Sequence, residues 1–257
     1  MYQQPNAPQS IGGVLDSGFK LYRESLSQAY LLGVIGALAM APVNLAQPYI
    51  VRSGFSSSLV GTVGLGVLAI AVVAAVLYAA LIARIDAAAR GAPISLGQAL
   101  SLGLQRLPAM LLSGILATIV VVIGLCLFVI PGLIVFIWLL FGPFALIIER
   151  RGPVDSLTYS RAIVRGHWWR TAALLTIIGI VLMAVYFLFG VAVSIAVISD
   201  PVAAAAGEVP WWITLIVGPA LAAVITPLTY SLMLAIFYDL RLRHEGGDLA
   251  ARIAATA

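Results

Sequence analysis

LPAMLLSGILATIVVVIGLCLFVIPGLIVFIWLLFGPFALII, running from Leu107 to Ile148, contains no charged residue. A helix that ran straight through it would be about 60 Å long, twice the roughly 30 Å of a bilayer's hydrocarbon core. The chain therefore crosses twice. Ile130-Pro131-Gly132 is the natural break, because proline lacks the N–H that continues a helix and glycine tolerates a tight reversal. The sequence predicts a closely packed hairpin there, with one span over Leu107 to Ile130 and the next over Gly132 to Ile148. Lipid offers the backbone no hydrogen-bond partner, so both spans are helices.

Four further stretches are long and apolar enough to cross: Gln28 to Val51, Leu59 to Ala83, Thr171 to Ile198 and Trp211 to Tyr238. They follow one another almost without pause. Of the 257 residues 62% are hydrophobic and 9% charged, where a globular domain has about 45–50% and about 25%. A chain so poor in charge cannot cover a water-facing surface. The expected fold is an all-α, polytopic membrane bundle of about six transmembrane helices, forming one domain over residues 11–245. Residues 1–10 are polar with two prolines and lack the basic region, short apolar core and small-residue cleavage site of a signal peptide. They are expected to form a short disordered tail, and residues 246–257 a C-terminal cytoplasmic tail. The single cysteine, Cys126, lies within an apolar run, so no intrachain disulfide can form.

Charge sets the orientation. Lys20 and Arg23 precede the first span, Arg84, Arg90 and Arg106 lie between the second and third, and Arg150, Arg151, Arg161, Arg165 and Arg170 between the fourth and fifth. Arg241, Arg243 and Arg252 follow the sixth. Only Arg52 falls on the opposite side, where the loop around Asp200 and Glu208 has no basic residue. The positive-inside rule makes the basic face cytoplasmic, with both termini inside. Arginine outnumbers lysine thirteen to one, a composition that accompanies GC-rich bacterial genomes, so the expected location is a bacterial inner membrane.

The chain also reads as three units, each a short helix before two spans. Ile11 to Ser25 sets Ile11, Val14, Leu15, Gly18, Phe19 and Tyr22 opposite Asp16, Lys20, Arg23 and Glu24, which is helical spacing. Leu96, Leu100, Gly103, Leu104 and Leu107 form the second stripe, and Ser95 with Gln98 has capping-box spacing. Val154 to Gly166 is the third. Such helices suit a membrane interface. Two spans per unit would make the repeats parallel.

Ile130-Pro131-Gly132-Leu133-Ile134, Gly142-Pro143-Phe144-Ala145, Glu149 to Leu157, Ser160 and Gly166-His167-Trp168-Trp169-Arg170 resemble the membrane domain of glycerophosphoryl diester phosphodiesterases. They are also similar to small six-span inner-membrane proteins of enterobacteria that have no assigned function. Tyr238 to Arg243, then Glu245-Gly246 and Asp248-Leu249, resembles the same group. In the phosphodiesterases the hydrolytic chemistry belongs to a separate soluble barrel. The resemblance therefore implies a membrane module and carries over no catalytic residue.

Four sets of residues are candidates for function. Asp86, Glu149 and Asp239 end the second, fourth and sixth spans alike, and three converging acids could bind a cation or a cationic head group. Alternatively each pairs with a neighbouring arginine: Arg84 or Arg90, Arg150 or Arg151, Arg241 or Arg243. Arg150, Arg151, Arg161, Arg165 and Arg170 form a basic cytoplasmic segment that attracts anionic lipid, at about 1 kcal/mol per residue near the surface. The same charges also serve as the topology signal. Thr226, Pro227, Thr229 and Tyr230 are the main intramembrane polar group: Pro227 frees a carbonyl, and the hydroxyls either line a cavity or restore the broken ladder. Ala71, Ala75, Ala79 and Ala83 make a small-residue ridge suited to helix packing. His167-Trp168-Trp169 and Trp211-Trp212 fit interfacial aromatic belts.

The other polar residues of the spans, among them Asn44, Gln47, Thr62, Tyr78, Thr118 and Cys126, are uncharged. Ionisable side chains deep in a membrane mark proton and ion pathways, and the spans offer none there. No phosphate-binding glycine loop, nucleophile motif or metal-ligand spacing is present, so no cofactor or metal is expected. Nothing suggests base reading, so nucleic acid is not an expected partner. The sequence favours a non-catalytic membrane module that organises a partner protein or local lipid, with a lipid or amphiphile transporter as the alternative. A third reading, a head-group enzyme using Asp86, Glu149 and Asp239, requires those carboxyls to converge on one reacting centre.

Overall fold

The computed structural model describes the backbone of residues 2–53, 57–200, 205 and 209–256, and the side chains of 2–45, 64–200, 205 and 209–246. The expectations for Gln47, Arg52, Thr62, Glu208, Arg252 and the tail beyond Gly246 lie outside the described side chains. The helices are α1 (Ile11–Ser53), α2 (Ser57–Ala89), α3 (Leu96–Leu127), α4 (Val129–Leu139), α5 (Gly142–Ile148), α6 (Pro153–Arg165), α7 (Trp168–Ser199) and α8 (Gly218–Thr256). A π-helical turn, Ile213–Val217, leads into α8. Among the described residues, six helical segments are long and apolar enough to cross a membrane, with α4 and α5 together making the fourth. The chain is a multi-pass, all-helical membrane protein.

The hairpin exists, but it turns earlier than expected. Phe128 is extended (φ −163°, ψ 149°) and separates α3 from α4, while Pro131 and Gly132 lie inside the first turn of α4. The first N–H groups of a helix have no internal partner, so a proline there costs no hydrogen bond and the break moves upstream of it. Glycine is needed for a different reason. A Cβ on Gly124 would sit 3.0 Å from the Cα of Gly132, so the two arms touch backbone to backbone.

The fourth span is interrupted where Pro143 cannot donate to the preceding turn. Its helix ends at Leu139 and restarts at Gly142. Ser160 of α6 repairs the gap: its Oγ accepts from the N–H of Phe141 at 3.1 Å and donates to the carbonyl of Trp138 at 2.6 Å.

The short interfacial helices separate only in part. Ile11–Ser25 runs without a break into its span as α1, and Leu96–Leu107 continues past Pro108 as α3. Only α6 stands apart from the span that follows. The capping box at Ser95 forms as expected, with Gln98 N donating to Ser95 Oγ at 3.2 Å and Ser95 N donating to Gln98 Oε1 at 2.9 Å.

Packing is concentrated at the basic end. Leu21, Ile82, Ile85, Phe141, Phe144, Leu146, Ile163, Leu234, Ile236 and Phe237 are fully buried there. Phe144 stacks on Phe237 with centroids 5.9 Å apart. Toward the other end Ile123, Phe128, Phe187 and Ile198 are exposed, as lipid-facing side chains are. α7 buries only Thr171, Leu174 and Ile178, all near its start. α1 lies closely on α8, where a Cβ on Gly33 would come within 2.5 Å of the Ala222 carbonyl oxygen.

Residues 2–9, read from sequence as a disordered tail, are instead tied to this end. Tyr2 is buried, its N–H donating to Glu24, and Gln9 is bonded through its backbone to α7 and α8.

Candidate functional site

Between α2 and the α3–α4 hairpin the helices part and leave a cleft of about 890 Å³. Small side chains create it: Ala71, Ala74 and Ala75 on α2 face Gly114, Ala117 and Thr118 on α3. Phe136 and Leu139 of α4, Pro143 of α5, Leu157 of α6 and Tyr230 of α8 complete the wall. Ala71 and Ala75 therefore bound an opening, whereas Ala79 and Ala83 of the same ridge are buried in the core. A Cβ on Gly114 would meet nothing within 4 Å. The cleft has the size of a ligand site, about 300–1,000 Å³. Its lining is apolar apart from Tyr78, Ser113, Thr118 and Tyr230.

A second cavity, of about 150 Å³, lies on the other side of α2 against Leu32, Gly33 and Gly36 of α1. Ala74, Tyr78 and Tyr230 line both cavities. The two tyrosine rings meet edge to face with centroids 5.0 Å apart, forming the partition. The intramembrane group is thus divided. Tyr230 belongs to the partition and Thr226 to the smaller cavity, while Pro227 is buried. Thr229 donates to the Ile225 carbonyl at 2.9 Å, a local bond within α8.

Each of the three acids has its own partners. Asp86 accepts from Tyr238 Oη at 2.5 Å and pairs with Arg90 at 2.8 Å. Asp239 Oδ2 accepts from Arg243 Nε at 2.9 Å and Arg170 Nη2 at 3.1 Å, and Oδ1 accepts from Gln9 N at 2.8 Å. Glu149 lies 2.9 Å from Arg241 Nη1. Tyr238, which donates to Asp86, and Asp239 are successive residues of one helix and point about 100° apart, so Asp86 and Asp239 meet different faces of α8. Sequence proximity suggested Arg150 or Arg151 for Glu149, yet the partner comes from another helix. Among the described residues no group of three or more His, Cys, Asp or Glu is placed to hold a metal ion.

The basic segment is likewise subdivided. Arg170 is committed to Asp239, Arg151 lies over the Tyr159 ring at 3.9 Å and Arg161 over Trp138 at 5.0 Å. Arg150 and Arg165 remain exposed. Arg150 has a left-handed backbone (φ 53°) and borders a pocket of about 200 Å³ with Asp86 and Arg90. His167 caps the start of α7. Burial pushes its pKa down, and Arg243 and Arg170 act in the same direction against Asp239. Trp169, Trp211 and Trp212 are exposed.

The clamp on Gln9 escaped sequence reasoning. Arg170 Nη2 and Arg243 Nη2 each donate to the Gln9 carbonyl at 2.6 Å. Side-chain patterns cannot reveal a contact made through the backbone. The cleft did leave a signal, since Gly114, Ala117, Thr118 and Val121 recur at helical spacing on α3.

Residues 100–240 match the model of a family described as a domain of unknown function, DUF7847. That region contains the hairpin, the Ser160 repair and most of the cleft wall. No curated protein and no solved structure matches the chain.

Proposed function

This chain belongs to the DUF7847 family, whose description assigns no activity, and we propose that it is a non-catalytic inner-membrane module that holds a lipid chain in the cleft between α2 and the α3–α4 hairpin. The observation that carries this reading is the cleft itself: about 890 Å³, almost wholly apolar, and bounded by membrane-spanning helices. A cavity of that size bounded by spans adjoins acyl chains, and an apolar lining suits them better than it suits water. The basic end supplies Arg150 and Arg165 for anionic head groups and, by the positive-inside rule, is the cytoplasmic end. Asp86, Glu149 and Asp239 are each occupied by an arginine, which leaves none of them as an unpaired base.

Gly114 provides the test, because a side chain there enters open space without displacing a neighbour. Native mass spectrometry of the full chain, extracted with its own membrane lipids, should find stoichiometric lipid on the wild type. Gly114→Trp should lose it while keeping its thermal midpoint. Retention by Gly114→Trp, or absence from the wild type, would remove the cleft as a lipid site. A lipid or amphiphile transporter is the second reading. It is favoured by the Tyr78–Tyr230 partition, whose rotation would join the cleft to the α1-side cavity. Flux of labelled lipid across proteoliposomes separates the two readings, since a holding module gives none.

A further inference from the structure

Among the described residues, the buried acids Asp86 and Asp239 are each paired with arginine, whereas buried Arg84 has no ion pair. It lies in α2 and is 9% exposed. Its Nε and Nη1 are buried without any hydrogen-bond partner. Asp86, which its position in sequence offers as a partner, is two residues on and therefore on a different helix face, where it is taken by Arg90 and Tyr238. An arginine keeps its proton in proteins, and an uncompensated buried cation carries a heavy desolvation cost. Two buried N–H groups of one guanidinium are thus free to donate to an oxyanion.

Its surroundings suggest what kind of anion. Leu77, Leu81 and Arg84 stand at i, i+4 and i+7 on α2, so they share one face. Leu77 and Leu81 line the smaller cavity, between α1 and α2, together with Gly33, Gly36 and Thr226. Arg84 thus stands one turn toward the basic end from a largely apolar cavity, which Gly36 leaves open on the α1 side. The pair forms a cationic base under an apolar slot, on the side of α2 away from the large cleft.

We propose that Arg84 binds a phosphate-type oxyanion at the α1–α2 interface, as the head group of an anionic lipid or as a free phosphate. A planar fork of N–H donors matches a phosphate edge with two parallel bonds, which an ammonium cannot do. The site is separate from the proposed lipid cleft and does not depend on it.

The decisive property is the sign of the mutational effect. The full chain is purified in a zwitterionic, phosphate-free detergent, and thermal midpoints are compared for wild type, Arg84→Met and Arg84→Lys. Arg84→Met removes an unpaired buried charge, so its midpoint should equal or exceed that of the wild type. Inorganic phosphate, or nanodiscs of phosphatidylcholine carrying phosphatidylglycerol, should raise the wild-type midpoint and leave Arg84→Met unmoved. Arg84→Lys should keep a reduced response, and it serves as the reporter should Arg84→Met fail to fold. Lys20→Gln, at an exposed pair, should respond as the wild type does. A response to inorganic phosphate alone assigns a soluble oxyanion, and a response only to phosphatidylglycerol assigns the lipid head group. An Arg84→Met midpoint below the wild type with the anion response intact would overturn the site. So would a wild type indifferent to both anions.

Discussion

At the scale of single residues, the strongest claim concerns Asp239. Its side chain is 2% exposed and accepts from two guanidinium groups and one backbone N–H. Removing its charge leaves Arg170 and Arg243 facing each other across the Gln9 carbonyl with no anion between them. Asp239→Asn should therefore cost about 3 kcal/mol, the usual penalty for breaking a buried pair from one side. It should also free residues 2–9, which limited proteolysis would register as new cleavage before Ser10. The contrast is Asp16→Asn, since Asp16 and Lys20 are 60% and 63% exposed and such pairs contribute about 0–1 kcal/mol. An unchanged midpoint for Asp239→Asn would mean that the clamp does not hold the N-terminal segment. Sequence reading placed Asp239 at a helix end with an arginine nearby. It missed Arg170 and Gln9 because neither is close in the chain.

At the scale of elements, the positions of the helices were legible and their interruptions were not. Hydropathy locates a span because lipid demands about 20 apolar residues. It says little about where a span breaks, which depends on a single missing N–H and on whether another element can supply a partner. The break at Phe141 is stable because Ser160, on a different helix, bonds both sides of it. Contacts between helices depend on equally local detail, and α1 provides a paired test. A Cβ at Gly33 would lie 2.5 Å from the Ala222 carbonyl oxygen, whereas one at Gly36 would have Leu77 at 4.0 Å as its nearest neighbour. Gly33→Ala should force α1 and α8 apart and cost about 1–3 kcal/mol, as overpacking does. Gly36→Ala should be neutral or gain up to about 1 kcal/mol of helix propensity. Thermal midpoints of the two variants side by side would decide it, and equal midpoints would count against the close α1–α8 contact.

At the scale of the whole molecule, the sequence discloses six crossings and a basic face but not which helices form the core. Lipid tails are as apolar as leucine, so a lipid-facing span and a buried one have the same hydropathy. The most apolar stretch of Trp168–Ser199 has nothing buried, while the less apolar Ile213–Gly246 is the most buried span. The α2 wall of the cleft was hidden for the same reason, since alanines that bound a cavity look like alanines that pack a helix; its α3 wall left only the small-residue spacing from Gly114 to Val121. Charge escapes this ambiguity, because its cost in the bilayer differs from one end of the molecule to the other. Arg90, Arg150, Arg161 and Arg165 gather at the end where α2, α5 and α6 terminate, and Val209 lies in the connection at the far end. The positive-inside rule therefore predicts that exposed Thr158 of α6 faces the cytoplasm and exposed Val209 the outside. With Cys126 replaced by alanine, a membrane-impermeant maleimide added to intact cells should label Val209→Cys and spare Thr158→Cys until the membrane is opened. The reverse pattern would turn the molecule over. It would put Arg84 and the Asp239 clamp at the outer surface, where no cytoplasmic phosphate could reach them.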